Sequence, residues 1–225
     1  MNQSTPATPR SEPDVDRSAP LIPSEIFPFP LDQFQLEAMD ALNQGHSVVV
    51  SAPTGSGKTL IGEYAIHRAL AHGQKVFYTT PLKALSNQKL RDFRDQFGAE
   101  NVGLMTGDLS VNREAAIVVM TTEIFRNMLY AEADEHDDPL ADVEAVVLDE
   151  CHYMNDSQRG TVWEESIIHC PPTVQLVALS ATVANAGQLT DWIEKVHGPT
   201  TLVMSDHRPV PLQFSFCSAK GLHPL

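Results

Sequence analysis

Short runs of consecutive apolar, largely β-branched residues alternate along the chain with longer stretches of helical period. Val48-Val49-Val50, Val76-Phe77-Tyr78, Ile117-Val118-Val119-Met120, Ala145-Val146-Val147-Leu148 and Leu176-Val177-Ala178-Leu179 lack the in-out alternation of a half-solvated strand. They have the look of strands covered on both faces, as in a parallel sheet. The pattern predicts strands over 47–51, 75–79, 102–106, 116–120, 145–148, 175–179 and 201–204. Helices are expected from Lys58 to Ala71 and from Lys83 to Phe97, with Gly73 and Gly98 free to take the left-handed conformation that closes a helix. The implied fold class is α/β, a mainly parallel sheet flanked by helices on both faces.

Punctuation sets the boundaries. Residues 1–24 hold Pro6, Pro9, Pro13, Pro20 and Pro23 among Ser, Thr and acids and offer little to bury, which predicts a disordered tail. The main domain is expected over 25–205, and 206–225 as the start of a linker. The stretch from Tyr130 to Glu144, with Glu132, Asp134, Glu135, Asp137, Asp138, Asp142 and Glu144, is read as a solvated loop.

Composition narrows the class. The chain has 225 residues, 42% apolar and 20% charged, with 15 basic against 29 acidic residues and a formal charge of −14. One large or two small domains fit that length, and a general basic nucleic-acid binder is excluded. No apolar run reaches the roughly 18 residues of a membrane span, and no secretory signal pattern opens the chain, so a cytoplasmic protein is expected. Cys151, Cys170 and Cys217 form neither a zinc spacing nor an even disulfide set and are read as reduced and structural. The histidines have no metal-ligand spacing.

Three strand ends carry chemistry. Ser47–Ser51 leads into Ala52-Pro53-Thr54-Gly55-Ser56-Gly57-Lys58-Thr59 and then a helix. In such a turn the backbone N–H groups and the helix N-terminus favour a phosphate. Lys58 would neutralise β/γ-phosphate oxygens and the Thr59 hydroxyl would hold Mg²⁺, although the first motif position is Ala52 instead of Gly. The 145–148 strand ends in Asp149-Glu150-Cys151-His152; Asp149 suits Mg²⁺, and Glu150 suits activation of a water for in-line attack on the γ-phosphate of ATP. The 175–179 strand ends in Ser180-Ala181-Thr182.

The order Ala-x-x-Gly-x-Gly-Lys-Thr, Asp-Glu-x-His, Ser-Ala-Thr resembles the first RecA-like domain of superfamily 2 DExH-box helicases. Phe27-Pro28-Phe29-Pro30-Leu31-Asp32-Gln33-Phe34-Gln35, Thr80-Pro81-Leu82-Lys83-Ala84-Leu85-Ser86-Asn87-Gln88-Lys89 and Arg208-Pro209-Val210-Pro211-Leu212 are similar to the superkiller-like, exosome-associated RNA helicases. The resemblance covers nearly everything from Ile26 onward. It implies a RecA-like P-loop NTPase domain, with ATP and Mg²⁺ as cofactors. It implies that Phe29 stacks on adenine and Gln35 reads its edge, with Thr54, Gly55, Ser56 and Gly57 around the phosphates. His152, Ser180 and Thr182 would couple nucleotide state to the nucleic-acid grip. Pro81, Lys83, Gly107, Asp108, Thr121 and Thr122 would line the path of a single strand, RNA before DNA. Cys151 stands where the family usually has Ile or Val, with little effect expected on hydrolysis.

The same resemblance implies a second RecA-like domain, in cis or in trans, whose arginine serves the γ-phosphate. Such an arginine is worth about 10³ to 10⁵ in turnover, so these 225 residues alone are expected to bind ATP weakly and turn it over barely. A DNA helicase of the same superfamily and a non-catalytic ATP- or RNA-binding module are the alternative readings. A transporter-type or kinase-type phosphate-loop protein is disfavoured, since no LSGGQ-like signature occurs.

Overall fold

The computed structural model describes residues 20–130, 138–156, 160–218 and 221–224. In chain order the elements are α1 (Pro23–Ile26), α2 (Gln33–Asn43), β1 (Ser47–Ser51), α3 (Thr59–His72), β2 (Lys75–Thr80), α4 (Lys83–Phe97), β3 (Val102–Met105), β4 (Ser110–Val111) and β5 (Ile117–Thr121). They continue with α5 (Thr122–Tyr130), β6 (Val143–Leu148), α6 (Gly160–His169), β7 (Gln175–Ser180), α7 (Ala186–Val196), β8 (Thr200–Met204), β9 (Ser215–Ser218) and β10 (Gly221–Pro224).

The main sheet has the order β4-β3-β5-β2-β6-β7-β1-β8, parallel except for the short antiparallel edge β4. Strand pleating divides the core. Val48, Val50, Tyr78, Val147 and Leu179 pack on one side with Phe34, Met39, Ile61, Ile66 and Phe93 from α2, α3 and α4. Val49, Phe77, Val118, Val146, Leu176 and Ala178 pack on the other with Phe125, Trp163, Ile167 and Ile193 from α5, α6 and α7. Both sheet faces are therefore covered, which is why the strands show no polar alternation.

Several expectations shift. Gly73 closes α3 in the left-handed region (φ 70°, ψ 26°), whereas Gly98 has φ 89° with an extended ψ of 141° and opens a short 3-10 turn, Ala99–Asn101, before β3. The chain is already placed from Pro20: the Leu21 carbonyl accepts the Tyr64 hydroxyl at 2.7 Å and the Asn43 amide at 3.2 Å. Ordered structure thus begins before residue 25, and the first nineteen residues of the expected tail lie outside the described ones. The acidic stretch is not solvated throughout. Tyr130 ends α5, and Glu144 lies inside β6, 8% exposed, paired with Arg68 and His72; residues 131–137 lie outside the described residues. Past β8, the expected linker carries the antiparallel pair β9–β10.

Candidate nucleotide and nucleic-acid site

Because β1, β2, β3, β5, β6 and β7 are parallel, their carboxyl ends share one rim of the sheet, the edge at which open α/β sheets bind ligands. The sheet order places the ends of β6, β7 and β1 side by side, and those of β3, β5 and β2 beside them.

The β1–α3 turn follows strand, glycine turn, helix. Gly55 and Gly57 both have φ 84°, a region that any other residue enters only with strain. Lys58 folds back over its own loop, donating to the Ala52 carbonyl at 2.7 Å and the Pro53 carbonyl at 2.9 Å. Burial pushes its ammonium below the usual lysine range, against the pull of Glu150 and Asp149; Arg208 adds to the depression. The buried Ser56 hydroxyl has no hydrogen-bond partner among the described residues, while Thr54 and Gly55 are exposed. An unspent donor beside a lysine held only by carbonyls fits a phosphate group.

The end of β6 is held tightly. Asp149 N–H donates to the Thr79 carbonyl at 3.0 Å, Tyr78 Oη donates to Asp149 Oδ2 at 2.8 Å, and Glu150 N–H donates to Asp149 Oδ1 at 3.0 Å. Burial, then the Asp149 charge, pushes the Tyr78 phenol well above its ordinary range, so it remains a donor. Glu150 adopts φ 56°, ψ 41°, a left-handed conformation costly for a side chain with a Cβ and found most often where a site needs it. Lys89 Nζ lies 3.4 Å from Thr59 Oγ1 and 4.0 Å from Asp149 Oδ2, so one ammonium stands close to both oxygens. A hydroxyl and a carboxylate there are the hard oxygen donors that Mg²⁺ takes. Among the described residues no cluster of three or more His, Cys, Asp or Glu offers an all-protein metal cage.

His152 Nδ1 sits 3.3 Å from Glu150 Oε2 and accepts the Ala181 N–H at 3.3 Å, joining the acids to the turn after β7. That turn is tied to the phosphate loop: Ala52 N–H donates to the Ser180 carbonyl at 3.2 Å and Val183 N–H to Ser51 Oγ at 3.3 Å. Ser180 is buried and its hydroxyl donates to the Ala181 carbonyl at 2.8 Å. Thr182 is exposed.

Phe29 is 46% exposed, with its ring 5.8 Å from that of buried Phe27, so it is not a core aromatic. Gln35 is buried, and both ends of its amide are engaged: Oε1 accepts the Asp32 N–H at 2.8 Å and Nε2 donates to the Gly57 carbonyl at 3.1 Å. In this arrangement it grips the phosphate loop and caps its own helix; reading a base edge requires one of these bonds to open.

On the other half of the rim, Lys83, Gly107 and Asp108 are exposed, Thr121 is half-buried, and Pro81 and Thr122 are buried. The Thr122 hydroxyl donates to the Thr80 carbonyl at 3.2 Å, joining the start of α5 to β2, so it is not a free cap for a phosphate. Lys83 pairs with Asp108, whose carboxyl is held below its usual range first by that lysine and then by the Thr106 hydroxyl.

Comparison with known proteins accounts for this arrangement. Residues 32–189 match the family model described as DEAD/DEAH box helicase. The chain belongs to the DEAD/DEAH box helicase family. The domain is 56% identical over 202 residues to the DExH-box ATP-dependent RNA helicase DExH15, chloroplastic, of Arabidopsis thaliana, covering 89% of this chain and 17% of that protein. It is 48% identical over 204 residues to the antiviral helicase SKI2 of Saccharomyces cerevisiae, covering 90% and 16%. Among solved structures it is similar to the Mycobacterium smegmatis helicase Lhr bound to ssDNA and AMP-PNP, with TM-score 0.64 and 27% identity over 81% of this chain and 26% of that one. The chain therefore spans about a sixth of the length of these curated relatives.

Within this helicase domain, Tyr78 and Lys89 touch the candidate site although the sequence motifs give neither a role, Lys89 being only the last residue of the Thr80–Lys89 motif. One ends a buried strand run and the other lies mid-helix, and the signal, an ionisable residue facing a packed sheet, appears only once the strands are aligned. Cys151 is 1% exposed and its thiol is pushed up to about 12 by burial, as is that of Cys170. Cys217 lies exposed on β9, so the structural reading fits the first two cysteines and not the third.

Proposed function

We propose that these residues form the ATP-binding RecA-like domain of a DExH RNA helicase, in which ATP hydrolysis drives 3′-to-5′ movement along a single strand. The observation that carries this reading is that Thr59 and Asp149, from the two nucleotide motifs, both lie within 4.0 Å of the Lys89 ammonium, while Glu150 and Asp149 are close enough to Lys58 to act on its charge. On nucleotide entry Lys58 exchanges the Ala52 and Pro53 carbonyls for phosphate oxygens, and the loop N–H groups and the Ser56 hydroxyl complete the cradle. Thr59 and Asp149 would hold magnesium, which would supply charge neutralisation at the phosphates when bound. Glu150 takes a proton from the attacking water. His152, touching both Glu150 and Ala181, passes the state of the acids to the Ser180–Thr182 turn.

Phe29 provides an open face for the adenine ring, and Gln35 contributes through the loop it holds. The strand lies over the ends of β2, β3 and β5, where Lys83, Gly107, Asp108 and Thr121 meet its backbone; the net charge of −14 restricts affinity to such local donors. RNA is favoured because DExH15, at 56% identity, is described as an RNA helicase, whereas the DNA-bound Lhr stands at 27%. No helix among the described residues is long and apolar enough to cross a membrane, compatible with a cytoplasmic site of action.

Titration of AMP-PNP with Mg²⁺ tests the nucleotide site. Binding that weakens more than tenfold in Lys58→Ala supports it, and unchanged binding refutes it. ATPase assays of this domain joined to a second RecA-like domain test the rest. Glu150→Gln is expected to lower turnover at least a hundredfold while sparing binding, and an RNA strand to stimulate more than DNA of the same sequence. The reverse order would favour the DNA-helicase reading.

A further inference from the structure

Lys89 is placed unlike a surface lysine. It lies in the middle of α4 with its side chain only 16% exposed, and its ammonium sits 5.2 Å from the Tyr78 ring centroid and 5.6 Å from that of Phe93. Those two rings meet edge to face at 4.9 Å, forming a fixed aromatic seat for the cation. From that seat Lys89 reaches Thr59 Oγ1 at 3.4 Å and Asp149 Oδ2 at 4.0 Å. Asp149 is otherwise held by neutral donors, the Tyr78 hydroxyl and the Glu150 N–H. Lys58, the lysine of the phosphate loop, is turned toward the Ala52 and Pro53 carbonyls. Lys89 is thus the ammonium within 4.0 Å of the Asp149 carboxylate among the described residues.

We propose that Lys89 is a positioning residue that acts as an internal counter-ion, holding the Thr59 hydroxyl and the Asp149 carboxylate in place before the metal arrives and competing with magnesium for them afterwards. This rests on the proposed magnesium-nucleotide site and adds a residue that sets how much metal the site requires. The physical basis is direct. A partly buried carboxylate needs a compensating charge, and Lys89 supplies it from a helix whose first residue, Lys83, stands on the proposed nucleic-acid rim. A divalent cation arriving between the same two oxygens meets a unit positive charge a few ångströms away, in surroundings where repulsion is weakly screened. Binding of the metal would therefore be opposed by the ammonium for as long as it stays within reach of both oxygens.

The test titrates Mg²⁺ into the 225-residue chain at fixed AMP-PNP and reads nucleotide binding calorimetrically. Removing the competing charge in Lys89→Met is expected to lower the half-saturating Mg²⁺ concentration at least about tenfold, the direction set by the loss of a nearby like charge. Lys89→Gln, which keeps a donor toward Thr59 without the charge, should move it the same way, and Lys89→Arg should leave it near wild type. A purely structural lysine would change melting temperature in all three variants without shifting the magnesium response. An unchanged or raised half-saturation in folded Lys89→Met or Lys89→Gln overturns the proposal. If wild type binds AMP-PNP no better with Mg²⁺ than with EDTA, the parent reading fails and this one with it; a wild-type magnesium response with indifferent Lys89 variants sinks the counter-ion role alone.

Discussion

Glu144 is the residue whose environment departs furthest from its sequence context. Its carboxylate pairs with Arg68 Nε at 2.7 Å and His72 Nδ1 at 2.9 Å, both on α3. Arg68 also donates to the Leu42 carbonyl and Gln175 Oε1, and Gln175 Nε2 donates to the Leu42 and His46 carbonyls at 3.1 and 2.7 Å. One buried network thereby joins α2, α3, β6 and β7 near the sheet rim opposite the phosphate loop. Removing one partner of such a pair leaves the other charge buried and uncompensated, which costs about 3–5 kcal/mol. Glu144→Ala is therefore expected to destabilise the domain by about that amount in urea unfolding, while Glu114→Ala, whose partner Lys75 is at the surface, should cost under about 1 kcal/mol. Equal losses would show that the network contributes nothing beyond a surface pair. Sequence could not reveal this: an acid at the end of an acidic run reads as solvated, and the partners that bury it belong to a distant helix.

At the scale of elements, what was legible depended on how local the determinant is. β1, β2, β5, β6 and β7 were readable because burial on both faces demands an unbroken apolar run, and α3 and α4 because a glycine ends each. The three chemical strand ends were readable for a related reason: a parallel sheet puts every carboxyl end on one rim, so motif order translates into proximity. β4 was not, since two exposed residues, Ser110 and Val111, carry no pattern of their own and pair only because β3 offers an edge. Gly103 makes that pairing sterically feasible. A Cβ on it would lie 2.0 Å from the Asn112 carbonyl oxygen and 2.8 Å from its carbon, and Asn112 itself sits at φ 47°. Backbone cannot yield as a flexible side chain can, so Gly103→Ala is expected to cost about 1–3 kcal/mol. Limited proteolysis should then cut faster between residues 106 and 115, because the β3–β4 return is the part displaced. Wild-type stability and cleavage in this variant would mean that the return shifts freely. Gln35 marks the other limit of legibility: its identity was informative, but its engagement with Gly57 and Asp32 depends on how α2 docks against the loop.

For the whole molecule, the histidine at the end of α7 sets the response to acid. His197 is buried, with Nδ1 3.2 Å from the Cys170 carbonyl and Nε2 2.9 Å from the Val174 carbonyl, so one ring closes the α6–β7 turn onto α7. Burial, the larger effect, holds its affinity for a proton below the ordinary value, although both carbonyls favour the charged form. His67, packed between Phe27 and Phe97, is also lowered by burial. A histidine depressed in the folded state binds its proton more readily once unfolded. Its contribution to stability is therefore complete above the unfolded value of about 6.5 and declines as pH falls toward the folded value. Urea unfolding midpoints should be flat from pH 8 to 7 and fall between pH 6.5 and 5. His197→Gln retains a donor for the carbonyls without a titrating ring, so it should lower stability at pH 7.5 yet reduce the acid-dependent fall, with the His67→Gln variant showing a smaller change of the same sign. A fall as steep in both variants as in wild type would assign the acid response to the carboxylates. Since α7 precedes β8, which pairs with β1 at the base of the phosphate loop, the same titration should loosen nucleotide binding only where global stability is already failing.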